Sequence, residues 1–189
     1  MIALGIPTNE YIKADTVSSL LLLVKDNPNI TEFIIEQSPL VHLNREKIVL
    51  KALKTNCSHL LFIDSDMKFG SLILQKLLAH DKDIVGLVYR LKNKTATPVI
   101  YKEKGKMITD INDVPRKLFK CYAVGTGIML IKLSVFKKIK RPWFFFGKQD
   151  EQHGGYGEDI WFCRQAHEAG VDVWVDGMLE CGHIGNQVF

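Results

Sequence analysis

No stretch constrains this chain more than His59-Leu60-Leu61-Phe62-Ile63-Asp64-Ser65-Asp66-Met67. Four apolar residues follow a polar opening, and Ile and Phe suit a sheet, so the run predicts a buried strand. Side chains alternate along an extended chain, which aims Asp64 and Asp66 to one side and Ser65 to the other. Two carboxylates about 6 Å apart repel by roughly 3 kcal/mol at an effective dielectric near 20. A buried strand with this ending needs a proton, a cationic side chain or a divalent metal beside the pair. A metal holding a phosphorylated ligand is the working reading.

The flanking pattern predicts the fold. Residues 2–6 read as a strand closed by Pro7-Thr8-Asn9. Val17, Leu20, Leu21 and Val24 recur at helical spacing until Asn27-Pro28-Asn29. Phe33-Ile34-Ile35 is a second strand, and Asn44 is placed to cap a helix through Leu53. Ser71 fits the cap of a helix through Leu78, and Ile84 to Tyr89 reads as a further strand. Alternating strands and helices argue for an α/β layer structure around a mostly parallel sheet. Ligands in such folds bind outside the carboxyl ends of the strands, where Pro7-Thr8 and Asp64-Ser65-Asp66 fall.

After residue 90 the pattern changes. Val99–Tyr101 and Met107–Thr109 flank a glycine turn and predict a hairpin. Cys121 to Lys132 reads as one long strand with Gly125-Thr126-Gly127 inside it, a mark of a bulge or a close approach. Ser134 fits the cap of a short helix to Ile139. Pro142 to Phe146 is an aromatic block, and a glycine-rich loop runs from Gly147 to Gly157. Glu158 to Ala169 predicts a helix stopped by Gly170, followed by a strand from Val171 to Val175 and by His183.

Length and composition agree with one globular domain. A chain of 189 residues can bury about 70% of its unfolded surface without disulfide or structural metal. Cys57, Cys121, Cys163 and Cys181 show no paired spacing, so a reducing, cytoplasmic setting is expected. No signal peptide is expected, and no apolar run is long enough for a membrane span. Residues 90–141 hold 14 Lys and Arg against 3 Asp and Glu, whereas residues 142–189 hold 2 against 8. The basic middle lacks the aromatic or arginine interleaving of nucleic-acid motifs.

Together, Asp64-Ser65-Asp66, the loop entering Gly157-Glu158-Asp159 and the late His183 resemble nucleotide-sugar glycosyltransferases of the GT-A fold. The style is that of family-2-like enzymes and of galactosyltransferases with a Gly-Gly-Glu-Asp loop. The resemblance implies a GT-A domain spanning residues 1–189 and a central, mostly parallel sheet plus a hairpin. It implies Mn²⁺, or Mg²⁺, held by Asp66, with Asp64 on the metal's water shell or the ribose and His183 as a further ligand. Pro7, Thr8 and Asn9 would seat the nucleoside, with Arg45 near the base or diphosphate, and Ser65 and Gly125-Thr126-Gly127 would complete the donor site. By motif match Asp159 is the catalytic base, with Glu158 orienting the acceptor. A mobile Gly154-Gly155-Tyr156-Gly157 loop would close over the donor. The implied partners are a nucleoside-diphosphate sugar, UDP-sugar favoured, and a glycan, glycoprotein or glycolipid acceptor, with inversion at the sugar.

Each assignment has a bland rival. Acids in a helix's first turn suit its dipole without chemistry. Arg45 fits an ordinary surface charge on a helix, and the aromatic block fits core packing at two or more positions. The chain ends soon after His183, so the acceptor site could be incomplete or the domain one part of a longer protein. Three other functions compete: a non-catalytic sugar-nucleotide module, a haloacid-dehalogenase-type phosphotransferase and a nucleotidyltransferase. The second places its aspartates on the first strand rather than the third. The third wants a glycine-rich basic loop where Pro7-Thr8-Asn9-Glu10 stands.

Overall fold

A computed structural model describes residues 1–147 and 157–185. The first half is an alternating α/β run. β1 (Ile2–Thr8), α1 (Ala14–Asp26), β2 (Ile30–Gln37), α2 (Val41–Ala52) and β3 (His59–Ile63) come first. The two-residue β4 (Met67–Lys68), α3 (Ile73–Ala79) and β5 (Ile84–Val88) follow. The second half is mostly strand: β6 (Ile100–Glu103), β7 (Lys106–Met107), β8 (Leu118–Cys121), β9 (Ala123–Val124) and β10 (Ile128–Lys132). It closes with α4 (Val135–Lys138), α5 (Glu158–Glu168), β11 (Val173–Glu180) and β12 (Gly182–His183).

Among the described residues the central sheet has seven strands in the order β2-β1-β3-β10-β5-β11-β8. β2, β1, β3, β5 and β11 run one way, and β10 and β8 run against them. The expected mostly parallel α/β sheet is therefore present. The hairpin is present too, as β6 and β7, with β9 on its other side. Every residue of β1 is buried, as for a strand covered on both faces. Its neighbours β2 and β3 lie on opposite sides, so the crossovers leave β1 in different directions. That divergence opens a crevice at the carboxyl ends of β1 and β3.

One face is packed by α2, α4 and α5. There Ile48, Val49, Phe136, Phe144, Phe162 and Cys163 join Ala3, Leu60 and Phe62 of the sheet. The other face is packed by α1 and α3, with Leu23, Leu74 and Leu77 against Leu4, Leu61 and Ile63. Each such side chain removed from water contributes about 1.5–3 kcal/mol. Trp143 and Phe144 belong to the core, while Phe145 and Phe146 are exposed. The core-packing reading of two aromatic-block residues thus holds.

Four local expectations are corrected. The long strand from Cys121 to Lys132 is instead three short ones, β8, β9 and β10, in two sheets. The glycines do mark a close approach, because a Cβ on Gly125 would fall 1.9 Å from the Tyr89 hydroxyl. Asn44 is not a cap but an internal residue of α2. Its amide donates to the carbonyls of Thr8 (3.0 Å) and Ser38 (2.9 Å), which serves two acceptors where a cap would serve donors. Ser71 makes no cap bond, since α3 begins at Ile73 after Leu72. At α4, Ser134 holds the cap position without a side-chain bond.

The basic middle is answered in part by acids. Lys120 pairs with Asp172, Lys132 with Asp81 and Asp83, Lys138 with Asp83, Arg90 with Glu180, and Arg141 with Glu46. No described helix is long and apolar enough to cross a membrane.

Glu46, buried in α2, holds the aromatic block. Its carboxylate accepts from the backbone amides of Trp143 and Phe144 and from Arg141 at 3.0 Å. Substitution Glu46→Ala strands two buried amides. It is expected to lower unfolding free energy by about 2–4 kcal/mol, read from urea midpoints at unchanged slope.

Candidate functional site

The crevice is a cleft of about 210 Å³ lined by Pro7, Thr8, Asn9, Ser38, Asn44, Asp64, Ser65, Asp66 and His183, among others. A second cavity of about 300 Å³ shares Asn9, Ser65 and Asp66 with it and adds Glu10, Tyr11, Lys13 and Lys92. Sequence distance is bridged by backbone. Lys13 N–H donates to the Ser65 carbonyl at 2.8 Å, fixing the chain after β1 against the aspartate turn. β12 pairs with β4 so that His183 lies opposite Met67, and Ile184 N–H donates to the Asp66 carbonyl at 2.7 Å. That ladder carries the late histidine to the aspartates. Gly127 reaches the same place, because its carbonyl accepts from Asp64 N–H at 2.8 Å.

The two aspartates do not share one cation. The strand ends at Ile63 and residues 65–66 form a turn, so alternation no longer governs them, and Ser65 lines the cleft instead of pointing away. Asp64 turns to Arg45, whose Nη2 stands 2.7 Å from its Oδ1. Asp66 turns to Lys92, whose ammonium pairs with Oδ2, and to His183, whose Nε2 is 3.5 Å from Oδ1. Burial still pushes the Asp64 carboxyl above its ordinary range, with Asp66 and Glu158 adding to the rise against Arg45. Burial would raise Asp66 too, but His183 and Lys92 beside its oxygens outweigh it and hold Asp66 below the ordinary range.

The surface reading of Arg45 is wrong. The residue is 2% exposed and does not line the cleft. It lies behind Asp64, with Nε 3.3 Å from Glu158 Oε1 and its guanidinium 5.3 and 5.9 Å from the rings of Phe62 and Phe144. Its Nη1 has no hydrogen-bond partner among the described residues. Arg45 therefore joins Asp64, on the cleft wall, to the start of α5. There Asp159 accepts from Ile160 N–H at 2.8 Å, and burial, then the charge of Glu158, pushes its carboxyl up to about 7. Gly157 precedes α5 in extended backbone, whereas Gly154, Gly155 and Tyr156 lie outside the described residues. Thr126 is buried with an unpartnered hydroxyl, and Gly125 and Gly127 leave room for Tyr89 rather than line the cleft.

His183 shows how a metal would fit. Its Nδ1 is 2.9 Å from the Arg90 carbonyl, which can only accept, so Nδ1 carries a proton. In the neutral ring the Nε2 lone pair then faces the Asp66 carboxylate, an arrangement that a cation between them favours. Among the described residues no three His, Cys, Asp or Glu side chains gather as a metal cluster. Asp66 and His183 converge, while Asp64 is engaged by Arg45. Two protein ligands, Asp66 and His183, could hold an ion there.

Lys92, Lys13, Asn44 and Ser38 were missed by sequence reasoning. Lys92 and Lys13 carried no motif, and Asn44 fitted a cap pattern equally well.

No family model matches the chain, and no curated protein matches it. Solved structures share its fold. A197 from STIV is 22% identical at TM-score 0.72, with 97% of this chain and 85% of that chain covered. GalNAc-T7, solved with UDP, GalNAc and Mn²⁺, is 12% identical at TM-score 0.53, with 95% and 37% covered. The inositol-1-phosphate CTP transferase from T. maritima is 11% identical at TM-score 0.53, with 95% and 85% covered. The fold is thus similar to that of GT-A glycosyltransferases and of a nucleotidyltransferase.

Arg45→Met leaves Asp64 and Glu158 without their shared cation. A loss of about 3–5 kcal/mol in unfolding free energy is expected. Without the cation Asp64, already raised by burial, binds its proton more tightly still in the fold, so the loss is largest above pH 7 and shrinks toward pH 5 as it is neutralised. Denaturant titrations at the two pH values check both the size and the sign.

Proposed function

We propose that this chain is a metal-dependent glycosyltransferase that moves a sugar from a nucleoside-diphosphate sugar, UDP-sugar favoured, to a hydroxyl of a glycan, glycoprotein or glycolipid, with inversion. The observation that carries the reading is the meeting of Asp66, His183 and the Pro7-Thr8-Asn9 strand end in one cleft, with Arg45 linking Asp64 of its wall to Glu158, the neighbour of Asp159. The likeness in fold to a protein solved with UDP, GalNAc and Mn²⁺ supports it.

Asp66 and His183 would hold Mn²⁺ or Mg²⁺, and a carboxylate with an imidazole suits Mn²⁺ better than Ca²⁺. The ion, when bound, neutralises charge growing on the leaving nucleoside diphosphate. The chain's own residues do the rest. Pro7, Thr8, Asn9 and Ser65 form the wall for the nucleoside. Asp64 is held in place by Arg45, which also anchors Glu158. The acceptor oxygen bonds to the anomeric carbon as the bond to the diphosphate oxygen breaks, and its proton passes to the Asp159 carboxylate. A carboxylate whose affinity for protons is raised toward neutrality is a stronger base than an ordinary one. Nucleotidyl transfer shares the fold support, but Thr8-Asn9-Glu10 gives no glycine-rich basic loop to grip a triphosphate.

Two substitutions separate binding from chemistry. Asp66→Ala should abolish the tightening of UDP binding by Mn²⁺ in isothermal titration. UDP bound as tightly as by the parent would remove Asp66 from the metal site. Asp159→Asn should keep UDP binding and lower turnover by about 10²–10⁴-fold. In the parent, kcat/KM should rise with pH and level off above about 7, because the base acts deprotonated. Full transfer by Asp159→Asn would mean another base.

A further inference from the structure

Lys92 stands where the proposed ion would have to act. It reaches Asp66 from the segment between β5 and β6, and its ammonium occupies Oδ2 while the His183 imidazole faces Oδ1. Both oxygens of Asp66 are thus already taken. The segment is closed on itself. Leu91 N–H donates to the Thr97 carbonyl at 2.8 Å, and Asn93 Oδ1 accepts from Thr97 N–H at 3.3 Å and from the Thr95 hydroxyl at 3.2 Å. The backbone here has partners of its own, so the part free to change place is the four-carbon lysine stem.

We infer that Lys92 is an exchangeable cation: it neutralises Asp66 in the empty cleft, and moves onto the phosphate oxygens when a metal–nucleoside diphosphate complex enters. The inference rests on the nucleotide-sugar reading and adds an order of binding to it. A divalent ion and an ammonium repel and compete for one carboxylate. The bare ion is therefore excluded. A diphosphate supplies negative charge for both cations at once and gives Lys92 somewhere to go. The cavity beside Asp66 has the matching lining, with Lys92 and Lys13 both on it and Lys13 Nζ 5.1 Å from the Tyr11 ring centroid. Ammonium groups bind phosphates as point charges without demanding one geometry. Glu10, on the same cavity, is the one opposing carboxylate there besides Asp66.

The test measures Mn²⁺ alone, through the spectrum of the free ion, and UDP at saturating Mn²⁺ by titration calorimetry. In Lys92→Met, Mn²⁺ alone should bind about tenfold tighter than in the parent, and UDP with Mn²⁺ about tenfold weaker. Lys92→Arg keeps the charge and should leave bare Mn²⁺ as weakly bound as in the parent. Unfolding midpoints without ligand confirm that the variants fold. Mn²⁺ alone bound no tighter by Lys92→Met than by the parent would overturn the exchange. Tighter Mn²⁺ with unchanged UDP would overturn the handover to phosphate. A parent that binds no UDP in Mn²⁺ would sink the nucleotide reading instead, and the arm with Mn²⁺ alone would still decide whether Lys92 bars the ion.

Discussion

A guanidinium sunk to 2% exposure between two carboxylates is an expensive object to place in a protein. Arg45 is tolerated because Asp64 and Glu158 take two of its nitrogens and the rings of Phe62 and Phe144 flank it. Taking charges from water costs several kcal/mol per ion, and the group is stable only as a set. Its geometry fixes the cleft wall through Asp64 and the start of α5 through Glu158. The unpartnered Nη1 leaves the arginine one donor short of satisfaction, beside an Asp159 that lies within its electrostatic reach.

The same principle runs through the cleft. Acids at and behind the cleft are matched with cations: Asp64 and Glu158 with Arg45, Asp66 with Lys92, Glu46 with Arg141. Asn44 and Ser38 do for backbone carbonyls what these cations do for carboxylates. They tie the ends of β1 and β2, which form the rim. A polar crevice at the edge of two apolar layers stays ordered because nearly every group in it has a partner.

The elements legible in the sequence were those with local signals. The strand ending at Ile63, the helix from Glu158 and the alternation of the first half follow from apolar period and glycine stops. So does the placing of Pro7-Thr8 and Asp64-Asp66 at one end of the sheet, since strand order in such folds has few solutions. The fate of Asp64 and Asp66 was not legible. Alternation told where they would point had the strand continued, and it stops at Ile63. Lys92 looked like any lysine in a basic tract, and its pairing depends on where the segment between β5 and β6 folds back. The burial of Arg45 was hidden for a similar reason: one arginine in a polar helix start carries no mark of the aromatic residues that later cover it. His183 was found by resemblance, but the β4–β12 ladder that delivers it has two residues on each side, too few for any periodic signal.

The arginine pairs also differ in when they can form. Arg45 and Asp64 are 19 residues apart, whereas Arg45 and Glu158 are 113 apart. Loop closure over the longer span costs more chain entropy, and during synthesis the second carboxylate leaves the ribosome well after the first. A nascent chain that has collapsed around β1 to β3 holds a half-matched guanidinium, and therefore a reason to stay open at that seam. The arrival of α5 removes it. The charge cluster that joins the two sides of the cleft is therefore complete only when residues from near both ends of the chain are present.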